Sequence, residues 1–236
     1  MKTLIFLLGL MIGGSFAFFC DDIDCDGTSL NELALLNYRP NATELIRLCP
    51  PTLEYFRCYF KGVNDCLGID VEQLVATGDE FSKAIATPIL NGRNLAVEMC
   101  DEHSTLRRDY LANLDCYKGL IADATSTCGG KADSDAEAFL RKYHNLPENE
   151  RVDWGEQACL SILHGLACIA EKVENSCGET ARKTFLIIVE KVKFSIVSEC
   201  NVEDTRSFKR SFLEFLKLEG KRAELYEFVF ERFSRR

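Results

Sequence analysis

Apolar side chains along this chain return every three or four positions far more often than every second one, the mark of helices with one buried face. Between Trp154 and Glu174, Leu160, Leu163, Leu166, Ala167, Ile169, Ala170 and Val173 predict a helix, and no alternation supports a strand. Phe185-Leu-Ile-Ile-Val189 is β-branched, so a short strand competes there. Phe185, Val189, Val192, Ile196 and Cys200 nevertheless form a helical stripe behind the start signal Gly178-Glu-Thr, and helix is the preferred reading. Upstream, Leu53, Phe56, Cys58, Tyr59 and Val63 predict a helix. Val71 to Thr77 and Phe81 to Cys100 supply one or two more, with an interruption expected near Pro88. A longer pattern runs from Ser104 to Ser126 through Leu106, Tyr110, Leu111, Leu114, Leu120 and Ile121, and Ser134 with Glu137 caps another helix to Tyr143. Two amphipathic helices around Gly220 close the chain, the first carrying Phe208, Phe212, Phe215 and Leu216 and the second Leu225, Phe228, Val229 and Phe233.

The cysteines impose an order on these helices. Cys49, Cys58 and Cys66 are spaced C-x8-C-x7-C ahead of a helical segment ending at Cys100, and Cys159, Cys168 and Cys177 are spaced C-x8-C-x8-C ahead of one ending at Cys200. Two copies of one cysteine-linked helix-pair unit explain this. Cys159 and Cys168 are nine positions apart, roughly 13 Å of rise and about half a turn, whereas a disulfide needs Cα atoms within about 7 Å. Each must reach a different neighbour, so this helix lies between two others. The predicted fold is all-α, a disulfide-stapled helical bundle. Gly129-Gly-Lys-Ala-Asp-Ser134 is the best linker candidate, dividing the chain into units of 18–128 and 129–236.

Composition then narrows the setting. The basic Met1-Lys2 start, the apolar run from Leu4 to Phe19 and small residues at Ser15 and Ala17 predict a secretory signal peptide over 1–17. Cleavage leaves 236 − 17 = 219 residues and all 12 cysteines. An even cysteine count behind a signal peptide implies a disulfide framework of Cys20, Cys25, Cys49, Cys58, Cys66, Cys100, Cys116, Cys128, Cys159, Cys168, Cys177 and Cys200, with open connectivity. The chain is long enough for an ordinary core, so the bridges serve endurance in an extracellular fluid. Net charge is −9, or −10 without Lys2, which argues against a nucleic-acid partner.

Candidate chemistry is sparse. Asp22, Asp24, Asp26 and Gly27 spell the opening of an EF-hand calcium loop, but the twelfth position is Leu33 with Glu32 one place early, and Cys25 sits inside. The competing reading is an acidic, cystine-tied segment in which Ser29 and Glu32 form a capping box for a short helix to Leu36. Asn41-Ala-Thr43 is an N-glycosylation sequon. His103, His144 and His164 fall on separate segments, no metal-hydrolase, nucleophile-elbow or phosphate-loop motif occurs, and cysteines held in bridges supply neither thiolate nor zinc site. Cys100-Asp-Glu-His103 shares letters with the secreted phospholipase A2 signature but lacks its doubled cysteine, following aspartate and calcium loop. The expectation is a protein that is not an enzyme and needs no cofactor.

The run Cys168-Ile-Ala-Glu-Lys-Val-Glu-Asn-Ser-Cys177-Gly-Glu, closed by Cys200 after a helix, resembles the final block of a cysteine-rich, all-helical secreted domain family of nematodes and arthropods. The chain is also similar to insect haemolymph glycoproteins of about this size. The likeness spans Cys49 to Cys200 and implies a secreted helical glycoprotein of haemolymph or venom type, with no active site to carry over. Three roles follow: a non-enzymatic extracellular protein acting by binding an unknown protein partner or as a structural component, a carrier of an apolar small molecule or lipid between helices, and a venom component touching membranes through its tail. The tail after Cys200 holds six phenylalanines and nine Lys or Arg against seven acids, a composition suited to a lipid interface or to docking on the fold.

Overall fold

A computed structural model describes residues 20, 23–36, 38–147, 149–192, 200 and 205–233. The predicted signal peptide, Asp22 and Ile196 lie outside them. Ten helices are described: α1 (Thr28–Leu35), α2 (Ala42–Leu67), α3 (Val71–Thr77), α4 (Glu80–Cys100), α5 (Thr105–Ala112), α6 (Leu114–Tyr143), α7 (Trp154–Cys177), α8 (Glu179–Lys191), α9 (Thr205–Leu216) and α10 (Gly220–Phe233). The described residues contain no strand, and none of their helices is long and apolar enough to cross a membrane. The fold is a disulfide-stapled all-α protein, as the apolar spacing predicts.

All twelve cysteines are paired. Cys20–Cys66, Cys25–Cys58 and Cys49–Cys100 close the first half, and Cys116–Cys177, Cys128–Cys168 and Cys159–Cys200 close the second. In each set the first cysteine joins the fifth, the second the fourth and the third the sixth. The repeated spacing is therefore a repeated connectivity, and α2 and α7 are equivalent central helices, each stapled three times. Cys159 and Cys168 do reach different neighbours, one beyond α8 and the other on α6.

The chain forms two compact units, one running to Leu114 with the end of α8 from Ile187, the other from Asp115 to Leu186 with Cys200, α9 and α10. The division falls at the start of α6, not after Cys128. Gly129 and Gly130, read as a linker, lie inside α6, and Ser134 caps nothing because the helix passes through it. The reason is a stripe spaced by four, Ala124, Cys128, Ala132, Ala136 and Leu140, every member of which is buried. Its burial outweighs a propensity cost of about 1 kcal/mol per glycine. The pattern from Ser104 does break, at Asn113, whose Nδ2 donates to the Asp109 carbonyl at 2.8 Å.

Proline does not stop helices here either. α2 begins at Ala42 and runs through Pro50 and Pro51, and α4 runs through Pro88. Along α2 the stripe Leu45, Leu48, Cys49, Thr52, Phe56, Tyr59 and Val63 is buried without interruption, which offsets the roughly 3 kcal/mol a helical proline costs. Asn41 starts α2 with a capping box, its Oδ1 accepting from the Glu44 N–H at 2.9 Å, and Gly68 ends it at φ 71°. Phe56, Tyr59 and Val63 pack with Val71 and Leu74 of α3 and Ala86 and Ile89 of α4 as the first unit's core. Buried Arg107 donates to the carbonyls of Cys100 at 3.2 Å and Met99 at 3.5 Å, satisfying the end of α4.

In the second unit α7 is the centre. Leu160, Leu163, Leu166, Ala167, Ile169, Ala170 and Val173 are all buried on it. The Tyr117 hydroxyl on α6 donates to the Ala181 carbonyl of α8 at 2.8 Å. Helices α9 and α10 cover α7 with Phe208, Phe212, Tyr226, Val229, Phe230 and Phe233, all buried. The tail is docked within this unit. One assignment is corrected: Phe228 is 42% exposed and Phe230 takes the buried place, because positions 226, 229, 230 and 233 share one helical face.

Candidate functional site

Two places combine unusual side chains with defined surroundings, and they occupy corresponding positions. On α2, Glu54 lies four residues before Cys58 and Lys61 three after it; on α7, His164 lies four before Cys168 and Glu171 three after it. The bridges Cys25–Cys58 and Cys128–Cys168 fix the correspondence.

In the first unit this face borders an open cleft of about 960 Å³, walled by the Cys20–Cys66 bridge, Ile23, Asp24, Cys58 and the α2 side chains Glu54, Arg57, Lys61 and Asp65. Arg57 donates to both Glu54 oxygens, at 2.9 and 2.7 Å, and Lys61 pairs with Asp65 one turn on. The Arg57 hydrogen bond holds the Glu54 carboxyl below its ordinary value. Gly62 makes the wall possible: a Cβ there would stand 2.9 Å from Ile23 Cγ2, so only glycine lets the N-terminal segment lie this close to α2. The cleft presents three acids and two bases on a twice-bridged frame.

In the second unit the corresponding face is closed. His164 is 1% exposed and its Nε2 lies 2.9 Å from Asp135 Oδ2 on α6. Lys131 Nζ contacts the same carboxylate oxygen at 2.8 Å. The imidazole packs against Phe212 of α9 and Tyr226 of α10, with centroids 5.7 and 5.5 Å away. Arg222 of α10 bonds Glu171 of α7 at 3.0 Å and lies over the Tyr226 ring. Burial pulls the His164 pKa down and the Asp135 carboxylate only partly restores it, so the ring is neutral at pH 7. Burial also works to raise Asp135, but the Lys131 and His164 hydrogen bonds outweigh it and hold the carboxyl below its usual range. With this charge assignment Nε2–H donates to Asp135, and Nδ1 has no hydrogen-bond partner. Ser161, one turn earlier on α7, is buried with its Oγ also unpartnered. Ser161, His164 and Asp135 have the residue types of a nucleophilic triad without its geometry, since no hydrogen bond joins hydroxyl to imidazole.

The other predicted positions lie apart from these. Asp26 Oδ1 accepts from the Thr28 N–H at 2.9 Å and the Thr28 hydroxyl at 2.5 Å, which lowers its pKa. That contact, and not a Ser29–Glu32 box, opens α1: Ser29 is buried inside the helix, and Glu32 forms a two-bond pair with Arg47 at 2.6 and 2.7 Å. The Asp24 carbonyl faces Cys58 Sγ at 3.7 Å. Among the described residues no three acidic, histidine or cysteine side chains gather as a metal site; Asp22, the remaining calcium candidate, lies outside them. Asn41 keeps its amide oxygen in the α2 cap, which leaves Nδ2, the atom a glycan would take, uncommitted to that bond. His144 Nε2 meets Glu156 at 2.7 Å across the α6–α7 connection, and the His103 N–H donates to Asp101 between α4 and α5. The sequence pattern does not single out Asp135 or Ser161, because the first falls between the cap candidates Ser134 and Glu137 and the second is one polar letter in an apolar run.

No family model, curated protein or solved structure matches this chain. The internal correspondence of its two halves is the comparison that organises it.

Proposed function

We propose that this protein works outside the cell as a non-enzymatic, disulfide-armoured binding module, of the kind found in haemolymph or another secretion. The observation that carries the proposal is the complete and duplicated pairing of its cysteines, which an oxidising compartment favours. The charged cleft beside Cys20–Cys66 is its binding face. Exposed and paired, Glu54, Arg57, Lys61 and Asp65 suit a polar protein partner more than an apolar cargo.

Expression in cells with a secretory pathway tests the localisation. The expected product appears in the medium, begins at Phe18, contains no thiol that reacts before reduction, and loses mass on deglycosylation unless Asn41→Gln is introduced. Retention inside the cell, or several reactive thiols, would overturn it. Mass spectrometry of organic extracts from natively purified protein tests the mode: a stoichiometric apolar molecule would replace binding by carriage.

A further inference from the structure

The second unit buries one titratable ring at the meeting point of the central helix, α6 and both tail helices, and leaves one of its nitrogens without a partner. We propose that His164 is an acid-sensitive latch that holds α9 and α10 on α7 when neutral and loosens them when protonated, exposing the aromatic face of the tail.

The geometry supplies the mechanism. A proton added to Nδ1, which has no hydrogen-bond partner, puts a charged N–H donor on a ring packed against Phe212 and Tyr226 of the two tail helices. An unsatisfied buried donor bearing charge is among the most costly groups a core can hold. The surrounding charges do not cancel it. On α6, Asp135 would attract the imidazolium, but its charge is already shared with Lys131. On α10, cationic Arg222 lies over the Tyr226 ring and is committed to Glu171 of α7. On α9 the charge near this face is Lys209, buried one turn before Phe212, its amine pushed down to about 8 by burial. The docked His164 pKa lies below its value in the free tail-open state, so docking is at full strength above about pH 6.5 and weakens as pH falls below it. Opening would uncover Phe208, Phe212, Phe230 and Phe233 together with the basic residues of the tail.

Hydrogen exchange on the full oxidised chain, followed peptide by peptide from pH 7 to pH 5 and corrected for intrinsic rates, tests this. Protection in 208–216 and 225–233 is expected to fall by up to about tenfold per pH unit below about 6.5, the slope of one linked proton. Protection in α2, α3 and α4 should stay constant. His164→Gln should abolish the pH response. If that variant fails to fold, Asp135→Asn serves in its place: without the carboxylate the docked imidazolium is less favourable, so tail protection should be lost more completely over the same pH range. A pH-independent tail in the wild-type protein, a response that survives His164→Gln, or a weaker response in Asp135→Asn would each overturn the latch.

Discussion

Helices α2 and α7 are stapled at matching positions by matching bridges, yet one shows water a row of charges and the other lies under two more helices. Their cysteines do not account for the difference. At the position four before the middle cysteine α2 has Glu54 and α7 has His164; one before it, Arg57 stands against Ala167; three after it, Lys61 stands against Glu171. Covalent cross-links set which segments meet, and the residues between them decide whether another layer can be added. The first unit stops at a charged surface, and the second accepts a tail.

Exchanging those residues is the strongest way to break the contrast. Ala167→Arg puts a guanidinium where exposure is 0%, in competition with Arg222 for Glu171 one turn on; burying such a charge costs more than about 4 kcal/mol. Calorimetry should show the second unit's transition collapsing and protease sites opening in α9 and α10, while the reciprocal Arg57→Ala should leave melting unchanged. Phe212→Ala, which empties a fully buried ring site, should lower stability by about 3–5 kcal/mol in denaturant titrations. If that loss proved smaller than about 1 kcal/mol, the tail would not be part of the second core.

The corresponding bridges offer a sharper comparison, because they should behave alike. Removing Cys25–Cys58 or Cys128–Cys168 as paired alanine variants should cost about 2–4 kcal/mol each. The separations of 33 and 40 residues make the two costs differ by only ~0.2 kcal/mol on loop entropy. Glycines supply the smallest test. Gly119→Ala in α6 meets nothing within 4 Å and should stabilise by about 1 kcal/mol, whereas Gly62→Ala in α2 loses that gain by displacing Ile23. Equal thermal shifts for the two would refute the close approach.

Much of this was legible in the chain. The three-and-four spacing of Leu160 to Val173 located α7, Val71–Thr77 was bounded as observed, and C-x8-C announced the repeat. What failed were local stop signals read without their surroundings. Pro88 and the Gly129-Gly130 pair are all helical, Pro88 between buried Ala86 and Ile89 of α4 and the glycines within the buried stripe of α6. Pairing was illegible for a different reason: spacing says that Cys159 and Cys168 cannot join each other, but their partners depend on which helices pack. The Asp135–His164 contact spans 29 positions and two helices, and no local pattern reports such a meeting.

The six cysteines from 20 to 100 are all joined before the six from 116 to 200 begin. A nascent chain emerging from its N-terminus can therefore oxidise its first set while the second is still unsynthesised. Six thiols admit 15 pairings, so the search comes as two small successive problems instead of one vast one, and the second can reuse the solution of the first.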